Sequence, residues 1–350
     1  MTSPGSLLVL GGTSWLGGTV ARHAAEHGHR VTCLARGSSG TAPEAVEFIG
    51  ADRSDPDAAY ATVAERSWDA VIDLARQPQH VRGAVSALSE RVSHWIFVST
   101  CSVYADDSVA GADESATLHD PWEGDGLAPD EAYGPAKVAC ERVVLESCPE
   151  ALIARSGLIV GYGDRSDRFG YWPTRFARSA RSARSVSSAA SPVSSAEPIL
   201  VPPLLDNLQV VEVRDLASWL VRAAETQISG IVNAMGDPFP LAELMDVCQE
   251  ETGGRPRRVE PGHAWLVDQG VEPWMGPESL PLWLPHPEYA GFMTRDNSAA
   301  KQAGLTFRPL AESVRSSLAW ENELGLDRER RAGLGTQWER DLVARWEHRH

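Results

Sequence analysis

The chain of 350 residues carries 32 Lys and Arg against 48 Asp and Glu, a formal charge of −16 at pH 7, which repels phosphate backbones and sets nucleic acid aside as an expected partner. Hydrophobic residues make up 43% and charged residues 23%, the balance of a folded chain rather than a disordered or fibrous one. The length exceeds what one hydrophobic core usually serves, so a large unit with a second lobe is expected.

The first pattern, SLLVLGG, is a strand that runs at once into a glycine turn and a helix from Trp15 to Gly28. In LLVLGGTSWLGG, Gly11 permits the tight turn, Gly17 permits close helix packing, and the free amides at the helix start suit a pyrophosphate. The spacing is Gly11-x-x-Ser14-x-x-Gly17, with serine where a middle glycine is expected. Placed after the first strand of a βαβ unit, this turn points to a dinucleotide held around Gly11, Thr13, Ser14, Trp15, Leu16 and Gly17; a plain glycine-rich turn is the alternative. The second strand, HRVTCLARG, ends in Arg36. An acid there would bond the ribose 2′-hydroxyl, whereas arginine faces a 2′-phosphate, so NADP(H) is expected ahead of NAD(H). Stacking of Arg36 on adenine, or its plain solvation, stays open. Asp52 is placed to bond the adenine edge, although Asp52, Asp55 and Asp57 also suit a turn and a helix cap, and no histidine or cysteine nearby suggests a metal.

Helices are expected from Pro56 to Ser67 and from Gln79 to Ser89, with strands at WDAVIDLA and SHWIFVST. Leu74 and Ala75, closing WDAVIDLA, are counted with the nucleotide contacts. DEAYGPAKVACER then opens a helix from Tyr133 to Ser147. Its Tyr133 and Lys137 stand four residues apart, one turn along the same face. A neighbouring ammonium favours the phenolate, and Pro135 in the first turn sets Tyr133 near a helix N-terminus, whose dipole acts the same way. An ordinary surface pair at helical spacing is the alternative. With ALIARSGLIVG as a fifth strand, near-continuous apolar strands separated by helices imply a doubly wound parallel α/β sheet.

Composition changes after Tyr171. The Arg- and Ser-rich stretch from Arg175 to Pro198 starts as a possible helix extension, and Ser185 to Ser195 reads as a mobile surface loop; arginines gripping an anionic substrate are the alternative. LQVVEVRD, a helix from Leu216 to Thr226, and GIVNAMG return to the sheet. From Pro238 onward, VEPWMGPESLPLWLPHPEYAGF suggests irregular extended chain, closed by helices from Leu310 to Leu324 and Ala332 to His348. The expected organisation is a dinucleotide-binding unit over 1–172 with 206–235 returning to it, a partly mobile segment over 173–205, and a smaller C-terminal substrate lobe over 236–350. Arg168, Tyr171 and Trp172 follow the strand expected to end over the nicotinamide, and Trp274 and Trp283 suit an apolar pocket wall or plain core packing. His119, His263 and His286 lack metal-ligand spacing and read as loop residues; no metal is expected.

The glycine turn, FVSTCSVYAD and YGPAK, in this order, resemble the extended short-chain dehydrogenase/reductase superfamily, the NAD-dependent epimerase/dehydratase group, from about Leu7 to Trp320. The resemblance implies a Rossmann fold and a triad of Thr100, Tyr133 and Lys137: Tyr133 moves a proton at a substrate oxygen, Lys137 assists it and holds the nicotinamide ribose, and Thr100 orients the oxygen. Family dehydratases carry Asp-Glu after the threonine, where this chain has Cys101 and Ser102, and Arg155-Ser156-Gly157 replaces the usual Arg-Pro-Gly. The implied activity is an NAD(P)-dependent reductase or epimerase acting on a secondary alcohol or ketone of a nucleotide sugar or polyhydroxylated metabolite. A homodimer through the Tyr133 to Ser147 helix is in keeping with it. A non-catalytic nucleotide-sensing or RNA-associated protein on the same fold is the competing reading, and it predicts binding without turnover. Five cysteines without a CxxC pair suit a reducing compartment, MTSPGSLLVLGG has no basic leader, and no apolar run approaches about 20 residues, so a cytoplasmic protein off the membrane is expected.

Overall fold

In the computed structural model, which describes residues 5–186 and 197–348, the apolar runs of the first half become strands of one sheet. In chain order these elements are β1 (Ser6–Leu10), α1 (Trp15–Glu26), β2 (Arg30–Ala35), β3 (Glu47–Gly50), α2 (Pro56–Ala59), α3 (Ala61–Ala64), β4 (Ala70–Asp73), α4 (Pro78–Leu88), β5 (Trp95–Thr100), α5 (Tyr133–Ser147) and β6 (Leu152–Ser156). They are followed by β7 (Leu158–Val160), α6 (Tyr171–Val186), β8 (Ile199–Leu200), β9 (Asn207–Leu208), β10 (Val210–Glu212), α7 (Val213–Thr226) and β11 (Gly230–Ala234). Seven strands pair in the order β11-β6-β5-β4-β1-β2-β3, every pairing parallel.

Alternation along β1 shows how both faces are buried. Leu7 and Val9 enter the core under α1 and α7, while Leu8 and Leu10 enter the opposite core with residues of α4 and α5. Both layers are needed because the inner strands β1, β4, β5 and β6 are buried along nearly their whole length and offer no polar face to water, whereas the edge strand β3 is largely exposed. The doubly wound α/β sheet is therefore the fold.

The second half adds β12 (Phe239–Pro240), α8 (Leu241–Thr252), β13 (Arg258–Val259), α9 (His263–Asp268), β14 (Glu272–Trp274), β15 (Ser279–Pro281), α10 (Ser298–Gln302), α11 (Leu310–Leu324) and α12 (Thr336–Glu347). A separate core joins Trp172 and Phe176 of α6 to Leu244 and Met245 of α8 and to Leu342 of α12. Ala300 and Leu305 instead pack with α1 and α7 on the sheet.

Three local readings change. The expected helix over Pro56 to Ser67 is broken into α2 and α3 at Tyr60, whose ring is buried and whose hydroxyl accepts from Arg53 Nε at 2.7 Å. The region after Pro238 contains a twelve-residue helix, α8, rather than irregular chain alone. Its buried Leu241, Leu244, Met245 and Cys248 follow helical spacing, a signal overshadowed by the prolines on either side. The Arg-rich start of the composition-biased segment lies in α6, and residues 187–196, most of the stretch read as a mobile loop, lie outside the described residues. Among the described residues, no helix is long and apolar enough to cross a membrane.

Candidate active site

The site begins at the β1–α1 turn. Gly11 takes φ +96°, a left-handed conformation glycine adopts at little cost. A Cβ on Gly17 would lie 2.3 Å from the Gly11 carbonyl oxygen, so no side chain fits there. Ser14 occupies the middle position without strain: its backbone is extended, its Oγ accepts from Gly17 N at 3.2 Å and donates to Gly11 O at 2.8 Å. The serine that departs from the glycine pattern is thus the N-cap of α1. Trp15 Nε1 donates to the Tyr162 carbonyl at 2.8 Å, tying the turn to the loop after β7.

From this turn a cleft of about 990 Å³ runs past the Ser39–Thr41 loop to Thr100, Tyr133 and Arg168. Thr13, Ser14 and Trp15 line it, while Leu16 is buried in the core behind them. The glycine-only approach, the start of a twelve-residue helix and an elongated cleft fit a dinucleotide. Leu74 packs beneath Gly11, and Ala75 is buried. Arg36 stands exposed at the end of β2. Asp52 is exposed too, and its carboxylate accepts from Ser54 N at 3.0 Å, bonds to Ser54 that hold it below the usual carboxylate range; Asp55 caps α2. Between them, Arg53 makes a buried two-pronged bond to Asp73, at 2.8 and 3.0 Å, and Asp73 also accepts from Ala75 N. That pair, which fixes the carboxyl end of β4, had no pattern to announce it.

Thr100 is the last residue of β5 and caps the turn that follows, accepting from Ser102 N at 3.2 Å. Tyr133 opens α5 and lines the cleft together with Thr100. Lys137, one turn on and 2% exposed, donates from Nζ to Ala75 O at 2.8 Å and Val98 O at 2.6 Å, with the Phe97 ring 4.2 Å away. Burial pulls its ammonium down to about 8. The phenol behaves differently from the expected phenolate: burial is the largest influence on Tyr133 and lifts its pKa, with Thr100 and Arg76 pulling the other way. Lys137 spends its bonds on two carbonyls, and a half-buried phenol is costly to ionise. Tyr133 is accordingly a protonated acid. Cys101 is buried and its thiol is pushed up to about 11. Beneath the triad, Glu141 of α5 pairs with Arg155 of β6 at 2.8 Å and accepts from Ser99 Oγ at 2.5 Å, locking the helix to the strands on either side.

On the other wall, Arg168 and Trp274 line the cleft, the guanidinium 5.1 Å over the indole. Tyr171 and Trp172 do not. They are buried in the lobe core, where Trp172 Nε1 donates to Pro281 O at 3.1 Å; α6 starts at Tyr171, and both rings serve its packing rather than the pocket. Trp283 is also core. Arg165, Arg331, Trp320 and Phe292 line the cleft as well. Two of these come from the last thirty-odd residues, far from any motif, and only the tertiary fold brings them in.

His263 and His286, read as separate loop residues, meet Asp206 in the lobe, with Nε2 to Oδ1 distances of 3.4 and 3.7 Å. Trp283 Nε1 donates to His263 Nδ1 at 2.9 Å. Indole is only a donor, so the neutral ring keeps its hydrogen on Nε2, toward Asp206, and has no lone pair there for a cation. The cluster brings two stacked imidazoles, their ring centroids 4.7 Å apart, to one carboxylate.

The profile of the NAD dependent epimerase/dehydratase family matches residues 7–234. No curated protein matches the sequence. Similar solved structures include the UDP-Glc/GlcNAc 4-epimerase of Campylobacter jejuni, 16% identical over 91% of this chain and 99% of that one with a TM-score of 0.63. The Bordetella bronchiseptica enzyme WbmH in complex with NAD+ is 18% identical over 92% and 100%, with a TM-score of 0.62. The UDP-glucuronic acid 4-epimerase of Bacillus cereus in complex with NAD is 13% identical over 91% and 99%, also with a TM-score of 0.62.

Proposed function

Since this chain belongs to the NAD-dependent epimerase/dehydratase family, we propose that it is an epimerase that inverts a secondary alcohol of a nucleotide sugar through Thr100, Tyr133 and Lys137. The observation that carries the reading is that Thr100 at the end of β5 and Tyr133 at the start of α5 line one cleft with residues of the glycine turn, with Lys137 buried one helical turn further along α5. A bound nicotinamide supplies the chemistry of taking up and giving back a hydride. Thr100 orients the substrate oxygen by hydrogen bonding. Tyr133, once its own proton has left to solvent in the cleft, takes the hydroxyl proton at its phenolate oxygen as the alcohol becomes a ketone, and returns it when the alcohol is restored on the opposite face. On the same reading Lys137, one helical turn along α5, contributes the positive charge that favours the phenolate.

Dehydration is disfavoured by Cys101, a buried thiol held near 11 where an acid–base pair would have to stand. The exposed Arg165 and Arg331 suit the substrate diphosphate. Arg36 makes NADP(H) the preferred nucleotide over NAD(H), the nucleotide named with the similar structures. Five free cysteines support a reducing, cytoplasmic setting, and a homodimer through α5 belongs to the same reading.

The test is incubation with either dinucleotide and a panel of UDP-hexoses and UDP-hexuronates, with the epimers separated by chromatography. Tyr133→Phe should lower turnover by roughly 10²- to 10⁴-fold while dinucleotide binding persists. Unchanged turnover in that variant, or a dehydrated product, rejects the reading.

A further inference from the structure

A second cation stands beside Tyr133. The guanidinium carbon of Arg76, in the loop after β4, lies 5.2 Å from the centroid of the Tyr133 ring. Three sets of bonds hold it there. On one side of Arg76 the Ala75 carbonyl accepts from Lys137 Nζ at 2.8 Å. On the other, the Gln77 side-chain amide exchanges two bonds with the Ala128 backbone, Oε1 accepting from N at 2.7 Å and Nε2 donating to O at 3.1 Å. Arg76 itself donates from Nη2 to Asp130 Oδ1 at 2.8 Å. The loop after β4 is thereby clasped to the turn that leads into α5, with the phenol at the start of that helix inside the clasp.

The ion pair at the outer end of the clasp adds little to stability, since the Arg76 and Asp130 side chains are 59% and 88% exposed and such pairs are weak. Its effect is to keep a cation at the ring. An aromatic face attracts a cation, and a positive charge within about 6 Å favours an ionised phenol. The other groups facing Tyr133 divide as follows. Cys101, after β5, and Cys140, on α5, are thiols pushed up by burial to about 11 and about 12, and so carry no charge near neutrality. Asp130 is solvated by its exposure. Arg168, in the loop after β7, acts on Tyr133 across the cleft and lies against Trp274, and Lys137 spends its bonds on the Ala75 and Val98 carbonyls. Of these cations Arg76 is the one packed on the ring itself.

Resting on the epimerase reading, we infer that Arg76 is a positioning residue of the proton step: its guanidinium, clasped against the Tyr133 ring, stabilises the phenolate that accepts the substrate proton. The phenol is titrated through the ultraviolet absorbance of tyrosinate in wild type, Arg76→Gln and Arg76→Lys, with and without dinucleotide. Because the chain has six tyrosines, each curve is taken as the difference from the same protein carrying Tyr133→Phe. Arg76→Gln should raise the midpoint by about one pH unit, and Arg76→Lys should restore most of the difference. Added salt should raise the wild-type midpoint and leave that of Arg76→Gln nearly fixed, since an exposed charge is screened. The acidic limb of the kcat/KM profile should move upward with the midpoint in Arg76→Gln. Equal midpoints in the three proteins, an Arg76→Lys midpoint as high as that of Arg76→Gln, or a Tyr133 that stays protonated up to alkaline unfolding overturns the inference. So does an Arg76→Gln variant that loses dinucleotide affinity while its midpoint stays in place, which would make Arg76 a nucleotide contact. A wild type without turnover would instead reject the epimerase reading, and the titration, which needs no turnover, still decides the role of Arg76.

Discussion

Arg36 is exposed and follows directly on the last residue of β2, the position from which the adenosine ribose is read. Arg36→Asp is expected to exchange the preference, weakening NADPH at least tenfold and strengthening NADH, as read by fluorescence titration; parallel losses for both nucleotides would show that Arg36 does not discriminate. Lys137 makes a prediction of another kind. Its ammonium loses its proton near 8 in the folded protein against 10.5 for an ordinary lysine. Between those values the unfolded chain binds more protons than the folded one, so stability rises with pH, by up to about 1.4 kcal/mol per pH unit. Below 8 the buried charge weighs against the fold. Urea denaturation of wild type and Lys137→Met at pH 7.5 and 9.5 should therefore show the wild type gaining on the variant at the higher pH, and a constant difference would contradict the burial of a charged amine. The Tyr-x-x-x-Lys spacing was legible because it is local. The elevated phenol was not, since it depends on what covers the ring.

The β1–α1 turn concentrates the demands of an entire element in a few atoms. An added Cβ at Gly17 meets the Gly11 carbonyl at 2.3 Å, whereas at Gly18 the nearest atom, the Gly12 carbonyl oxygen, is 3.6 Å away. Gly17→Ala should cost roughly 1–3 kcal/mol and most of the dinucleotide affinity; Gly18→Ala, inside α1, should be as stable as wild type or gain up to about 1 kcal/mol from helix propensity. Thermal melts of the two variants decide it, and equal stabilities would argue against the close approach. Elements with a strong period were readable in advance: α11 spans Leu310–Leu324 as its pattern required, and the strands of the sheet alternate between two apolar layers. Elements joined by paired charges were not. Arg175 of α6 meets Glu339 of α12, 164 residues apart in sequence, and nothing in the composition of either helix selects the other.

Over the whole molecule the distinction is one of sequence distance. The sheet and the glycine turn follow from neighbours along the chain, so residue patterns reveal them; the lobe side of the cleft is assembled from a loop near Asp164, a strand at Trp274 and chain ends at Trp320 and Arg331, which no window of sequence contains. The charge of −16 likewise hides a cleft whose own arginines are positive. Among 32 basic residues only two are lysines, Lys137 and Lys301. Lys301 is exposed beside Asp237, so an amine-acylating reagent should modify it at once. Lys137 can react only when α5 parts from β5, and its peptide, followed by mass spectrometry, becomes a clock for that parting. Among the lysine side chains, chemical labelling thus gives one instant signal as an internal standard and one delayed signal as a count of openings, which bound dinucleotide should slow.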